Sequence, residues 1–419
     1  MKLNPYQLLL FLTAFLLACN NKPQPKEGKL ENRFELSNFE PYQPIEIAYK
    51  FPAEIEYYLD TCQKSWANQM AGTDYSYLGM EKETGQQFYG QYGQPRPLSD
   101  TAIKAFKKDF SPISAKAYIL NRSKAEEITI INEAHHKPKH RFFTRTLLED
   151  LYQQGYRYLG LETLSNVSFI DTALNQRKYP IKSTGTYSKE PQFGNLIRDA
   201  LQIGFTLFPY EGTGGGKERE INQARNIANF MKANKGGKYL IHCGYAHATE
   251  GEMGGRWKKA MAGRLSEYTG INPLTINQTK FDNRFEFGYL HPLMKRLELK
   301  EPTVFLDESQ QSYLGEKSDS AFDIMVFHEQ SESLNGKPNW IFDKENKSVV
   351  LALAAIELSK PIMALAFVEG ENPSEAIPYD LNVIKDEQDS IYLALKPGNY
   401  NLLLQNQSDS AFVAKLEVN

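Results

Sequence analysis

Between Thr129 and Leu151 the chain reads TIINEAHHKPKHRFFTRTLLEDL, which puts Glu133, His135, His136 and His140 within eight residues and adds Arg141 and Arg145. The whole chain has seven histidines, so three of them in one short stretch call for a solvated loop or a site. Carboxylate and imidazole together move protons near neutral pH or hold a borderline metal ion. A capping role accounts for Glu133 alone, because a carboxylate is favoured at a helix N-terminus. It does not account for the histidines.

The surrounding sequence explains how such groups can be gathered. EITIIN (Glu127 to Asn132), YRYLGLE, FTLFPYE, KYLIH and NPLTIN read as strands. The amphipathic runs KPKHRFFTRTLLEDLYQQG, PQFGNLIRDALQIG, KEREINQARNIANFMKANKGG and GRWKKAMAGRLSEYTG lie between them. This alternation predicts βαβ crossovers, hence an α/β fold with a largely parallel sheet flanked by helices. Ligands of such sheets bind beyond the carboxyl ends of the strands. There the first strand delivers Glu133, His135 and His136, the second Glu162, the third Glu211, and the fourth His242 followed by His247 in HCGYAHA. Each of these has a bland reading at a solvated edge, but their joint occurrence marks a site.

Other features point away from chemistry. His140 falls in a first helical turn and is expected at the surface, while His291 and His328 stand alone in apolar surroundings and read as structural. EGTGGGKE is not a P-loop, because Glu211 stands where Gly is needed and Glu218 where Ser or Thr is needed. HHKPKH is not a His-Glu-x-x-His zinc helix, and Cys243, at the end of a buried strand, reads as an inert thiol. SPISAKAYILNRSK reads as a short helix opened by Ser-Pro.

At the N-terminus, LLLFLTAFLLA is too short for a comfortable membrane span and has the build of a signal-peptide core. LLAC resembles a bacterial lipobox, so residues 1–18 are expected to be removed and Cys19 acylated. That places the protein in a bacterial cell envelope, anchored in a lipid bilayer at the outer membrane or cell surface. Residues 19–45, rich in Pro, Asn and charge, read as a tether. Residues 46–343 form the α/β domain, and the alternating runs of 344–419 read as a small C-terminal antiparallel β-sandwich. A Cys62–Cys243 disulfide is chemically allowed in that compartment. A net charge of −3 without a basic patch gives no sign of a nucleic-acid partner.

NEAHH, HRFFTRTLLEDLYQQGYRYLGLE, REINQARNIANF and HCGYAHA resemble the superfamily that joins erythromycin esterases, TIKI-type metalloproteases and ChaN-type haem-binding lipoproteins. The resemblance runs from about Ile128 to Gln278. Glu133 and Glu162 match the two acidic positions, His135 or His136 the first histidine, and His247 the later Gly-x-x-His. Asn132 replaces the usual opening Gly. Arg145 falls where the esterases place an active-site arginine, and Arg219 opens a shared helix motif. The resemblance implies a hydrolase acting on an ester or amide bond of a small-molecule or peptide substrate. His136 would serve as general base, with Glu133 or Glu162 fixing its tautomer and Arg145 stabilising an oxyanion. In the metal-assisted form, Glu133, His135, Glu162 and His247 would ligate Zn, Mn or Co. The alternative is a haem- or small-ligand-binding lipoprotein with Tyr245 as the haem-binding residue.

The lipobox is directly testable. Cys19→Ser is expected to lose acyl labelling and to leave the membrane fraction or stay unprocessed. Undiminished labelling of that variant would refute the anchor.

Overall fold

The computed structural model describes residues 32–34, 39–90, 96–164, 169–282, 291–315, 321–334, 336–342, 345–352, 358–385, 388 and 390–419. The segment expected to be a signal peptide and Cys19 lie outside the described residues. Two short strands, β1 (Asn32–Phe34) and β2 (Glu40–Tyr42), precede the helices α1 (Pro52–Thr61), α2 (Ala67–Tyr77), α3 (Glu81–Tyr89) and α4 (Asp100–Asp109). Then come β3 (Ser111–Ser114), α5 (Ala115–Ser123), β4 (Ile128–Glu133), α6 (Pro138–Gln153) and β5 (Tyr156–Leu161). A short α7 (Leu174–Arg177) leads to α8 (Pro191–Ile203), β6 (Thr206–Pro209), α9 (Lys217–Ala233) and β7 (Lys238–Gly244). α10 (Met261–Thr269), β8 (Leu274–Phe281), β9 (Thr303–Leu306) and β10 (Ile324–Phe327) complete the main sheet.

That sheet has the order β3-β9-β10-β8-β4-β7-β5-β6. The pairings among β10, β8, β4, β7, β5 and β6 are parallel, and β9 runs antiparallel to both β10 and β3. Both faces of the sheet are covered. Ile131, Leu159, Leu161 and Leu240 pack against α6 and α8 through Leu147, Leu148, Leu196 and Ile197. Ile128, Ile130, Tyr239 and Ile241 turn the other way, onto Ala224, Ile227 and Leu265 of α9 and α10. The strand period of two thus divides β-branched runs between two buried layers. α8 shows how local sequence sets the helix starts. Pro191 occupies its first position, the Glu190 side chain accepts from the backbone N–H groups of Gln192 and Phe193, and Gly204 ends it with φ +117°.

A two-stranded ribbon, β11 (Ser333–Leu334) with β12 (Lys337–Pro338), leads to the C-terminal strands. These are β13 (Lys347–Ala352), β14 (Ile362–Val368), β15 (Asp380–Ile384), β16 (Ser390–Leu395), β17 (Gly398–Asn406) and β18 (Ala411–Val418). They form an antiparallel five-stranded sheet, β15-β14-β17-β18-β2, and a three-stranded sheet, β1-β13-β16. Leu351, Leu393, Leu402, Leu404 and Leu416 from the two sheets share one apolar cluster.

Three sequence expectations need correction. The stretch read wholly as a tether contributes two strands, because β2 pairs with β18 and β1 runs parallel to β13. α1 and α2, which fall within the span 46–343 expected to form the α/β domain, pack instead on the five-stranded sheet, where Phe51, Ile55 and Tyr75 meet Met363, Leu365 and Phe367. Ser111–Ser114 is an edge strand rather than the first turn of a helix, and Pro112 is tolerated there because an edge needs fewer ladder hydrogen bonds. Cys62 and Cys243 are both free thiols.

The C-terminal sheets grip α8. Arg198 donates to both carboxylate oxygens of Glu371, at 2.7 and 2.6 Å, and Asn195 donates to the Tyr379 carbonyl at 2.8 Å. Arg198 and Glu371 are both buried, so removing one partner strands the other charge in a dry contact. Glu371→Ala is expected to cost about 3 kcal/mol, read as a lowered midpoint in chemical denaturation. An unchanged midpoint would mean that this contact does not hold the two parts together.

Candidate functional site

The strand order decides which polar ends meet. β7 lies between β4 and β5, with β6 outside β5, and neighbouring strands sit roughly 5 Å apart. The groups beyond the ends of β4, β7, β5 and β6 therefore lie side by side at one edge of the sheet. Glu133 ends β4, Glu162 follows β5, and a 3-10 turn, Tyr245–Ala248, follows β7.

At the β4 end, Glu133 is buried and takes two hydrogen bonds from Arg141, at 2.6 Å from Nε and 2.8 Å from Nη2. Arg141, itself fully buried, also donates to Glu190 at 3.1 Å and to the His135 carbonyl at 2.7 Å. Burial alone would raise the Glu133 carboxyl, but the Arg141 guanidinium and His135 hold it well below the usual carboxylate range. Its Oε1 lies 2.9 Å from His135 Nδ1. A carboxylate only accepts, so His135 Nδ1 carries a proton and donates it to Glu133. The His135 ring stacks on Tyr187 with centroids 3.9 Å apart and meets Tyr245 edge-on at 5.1 Å. It also lies over Gly244, where any Cβ would collide with it.

The second half of the cluster is built around Arg219, in the first turns of α9. Its Nη2 donates to Glu162 at 2.5 Å and to Glu211 at 2.5 Å, and its Nε donates to Glu211 at 3.0 Å. Glu162 also accepts from the Gly244 N–H at 2.5 Å. His247 has its Nε2 3.0 Å from Arg219 Nη1, its Nδ1 2.9 Å from Glu220, and its ring stacked on Trp257. Burial lowers the His247 pKa, but Glu162 and Glu220 outweigh that and leave it raised. Burial raises Glu162, and His247, His135 and Arg219 reverse the sign and keep it ionised.

Glu133, His135, Glu162 and His247 are thus together in the structure, but other expected residues stand elsewhere. His136 is not oriented by either glutamate. It is buried, with Nδ1 3.0 Å from the Tyr245 hydroxyl, Nε2 2.7 Å from the Tyr89 hydroxyl and its ring stacked on Phe88. Arg145, one helical turn beyond Arg141, is turned to Asp199, to the Tyr379 hydroxyl at 3.2 Å and to Glu345 at 3.6 Å. The guanidiniums at the cluster are Arg141 and Arg219. His140 is fully buried rather than exposed and accepts from the Ala134 N–H at 3.0 Å. Glu190, Glu220 and Tyr187 went unnoticed in the sequence. Only Glu190 carried a local signal, the capping carboxylate before Pro191.

The carboxylates do not fit a divalent cation as arranged. Glu133 is taken up by Arg141 and His135, Glu162 by Arg219 and the Gly244 N–H, and Arg219 stands between Glu162, Glu211 and His247. A metal ion there would have to displace a guanidinium. The phenol oxygen of Tyr245, the expected haem contact, is within hydrogen-bond distance of His136.

No family model matches the sequence, and no curated protein matches it. Among solved structures, the chain is similar to the type III effector HopBA1, with 11% identity and a TM-score of 0.33 over 53% of this chain and 97% of that one. It is also similar to RRSP, a MARTX toxin effector domain from Vibrio vulnificus CMCP6, with 14% identity and a TM-score of 0.28 over 61% of this chain and 49% of that one. A third structure, titled as bacterial protein toxins, aligns with 12% identity and a TM-score of 0.28 over 51% of this chain and 47% of that one.

His242 gives a test of the cluster's acid sensitivity. Burial lowers it to about 4, with Nε2 3.7 Å from Glu133. In the unfolded chain it titrates near 6.5, so between those values the unfolded state binds the extra proton. Its stabilising contribution is intact above about pH 6.5 and is lost as pH falls through about 4, by on the order of 3 kcal/mol. Thermal melts across this range should fall less steeply for His242→Gln than for the wild type. Identical slopes would show that His242 does not set the acid limit.

Proposed function

We propose that the protein is a hydrolase that cleaves an ester or amide of a small-molecule or peptide substrate by activating water at His135. The observation that carries this reading is the Glu133–His135 pair at 2.9 Å, with Glu133 fixed by Arg141 and His135 partly open to solvent. A neutral imidazole with its Nδ1–H on a carboxylate presents Nε2 as a base of suitable strength near neutral pH. Water loses a proton to Nε2 as its oxygen bonds to the carbonyl carbon. The imidazolium formed is stabilised by Glu133, and the same proton then passes to the leaving oxygen or nitrogen. Arg219, held by Glu162 and Glu211 yet about a third exposed, contributes fixed positive charge beside the attack.

In this reading the C-terminal sheets form a sandwich that braces α8 and, through the Glu190 cap, Arg141. Acylated Cys19 would hold the whole at the cell envelope. No helix among the described residues is long and apolar enough to cross a membrane.

His135→Ala is expected to lower kcat/KM for p-nitrophenyl acetate by roughly a hundredfold to ten-thousandfold, the usual worth of a general base. The fold should be retained, since His135 is only partly buried. Full activity in that variant would refute the assignment.

A further inference from the structure

Tyr245 adopts a backbone conformation that L-residues with bulky side chains avoid: its φ is +42°. Such strain persists only where the surroundings enforce it. Here Asn132 enforces it. Its Nδ2 donates to the Tyr245 carbonyl at 2.6 Å, and its Oδ1 accepts from the Gln278 N–H at 2.9 Å, which fixes the amide's orientation. The turn so held sets the Tyr245 ring edge-on to His135 at 5.1 Å and brings its hydroxyl within 3.0 Å of His136 Nδ1. Despite these contacts Tyr245 stays 39% exposed as a residue, so it is strained, held and still partly open to solvent.

His136 completes a chain of hydrogen bonds. It links the Tyr89 hydroxyl, 2.7 Å from Nε2, to the Tyr245 hydroxyl. A neutral imidazole has one N–H and one lone pair. When Tyr89 donates to Nε2, Nδ1–H donates to the Tyr245 oxygen, and the Tyr245 proton is left for another acceptor. Each bond in such a chain polarises the next.

We propose that Tyr245 is a catalytic residue of the hydrolysis assigned above, its phenol donating the hydrogen bond that stabilises the oxyanion beside His135, with His136 and Asn132 as positioning residues. This rests on the hydrolase reading. As the water oxygen bonds to the carbonyl carbon, the water proton goes to His135 Nε2 and the carbonyl electron pair moves onto oxygen, where the Tyr245 O–H meets it. Collapse of the adduct restores the carbonyl and breaks the bond to the leaving group, which takes the proton from His135. Tyr245 keeps its own proton throughout.

The experiment compares steady-state hydrolysis of p-nitrophenyl acetate by the full chain and four variants. Tyr245→Phe keeps the ring against His135 and is expected to lose about a hundredfold in kcat with KM nearly unchanged, the usual cost of one oxyanion donor. Asn132→Ala should lower kcat in the wild-type background yet cause no further loss when combined with Tyr245→Phe, because it acts through that hydroxyl. A merely structural Asn132 would lower kcat in both backgrounds and overturn the positioning role. His135→Ala separates the two readings. If it loses activity while Tyr245→Phe retains the wild-type kcat, only the Tyr245 assignment falls. If His135→Ala matches the wild type, the hydrolase reading fails and the role of Tyr245 fails with it.

Discussion

The structure is organised around a guanidinium with no access to water. Arg141 is fully buried on α6, and a charge in that position must find matching charge and acceptors or be expelled. It finds Glu133 at the end of β4, Glu190 at the start of α8 and the His135 carbonyl between them. Three separate pieces of chain are thereby fixed at one point. Replacing such a group by apolar side chains often costs little stability. What this arrangement supplies is placement: it fixes the carboxylate that in turn fixes the tautomer of His135.

Charge balance shapes the rest of the cluster. The cluster sets five carboxylates, Glu133, Glu162, Glu190, Glu211 and Glu220, against two guanidiniums, Arg141 and Arg219. The surplus is negative, and a proton on a histidine would reduce it without cancelling it; Glu162 and Glu220 raise the His247 pKa in that direction. His242 and His136 are pushed the other way by burial. Neighbouring imidazoles therefore divide into neutral and proton-accepting groups through environment alone.

The C-terminal sheets take part in the same scheme at one remove. They hold α8 through Arg198–Glu371 and Asn195–Tyr379, and the N-terminus of α8 carries Glu190, the second partner of Arg141. β1 and β2, far back in the chain, close the edges of those sheets. The cluster thus depends on segments well outside the run of alternating strands and helices that supplies its side chains.

Much of this was legible in the residues. The β-branched and apolar runs set the βα alternation because each strand had to be buried on two faces. That alternation alone put Glu133, Glu162, Glu211 and His247 at one edge of the sheet. Sequence could not order the strands, since pairing is decided between segments far apart in the chain, and only β7 lying between β4 and β5 made those ends meet. Nor could spacing choose between His135 and His136, or between Arg141 and Arg145. Adjacent residues after a strand point apart, and residues four apart on α6 differ in which neighbouring element they face. Arg141 meets Glu133, whereas Arg145 meets Asp199 and the C-terminal sheets. His140, with the same local pattern as a surface residue, is buried because the start of α6 is covered by Asp282 and His328, which only the folded chain brings there. Local sequence determined which groups reach the edge, because burial period is a local property. Which of them touch was decided by tertiary packing, because contact depends on elements that no local pattern records.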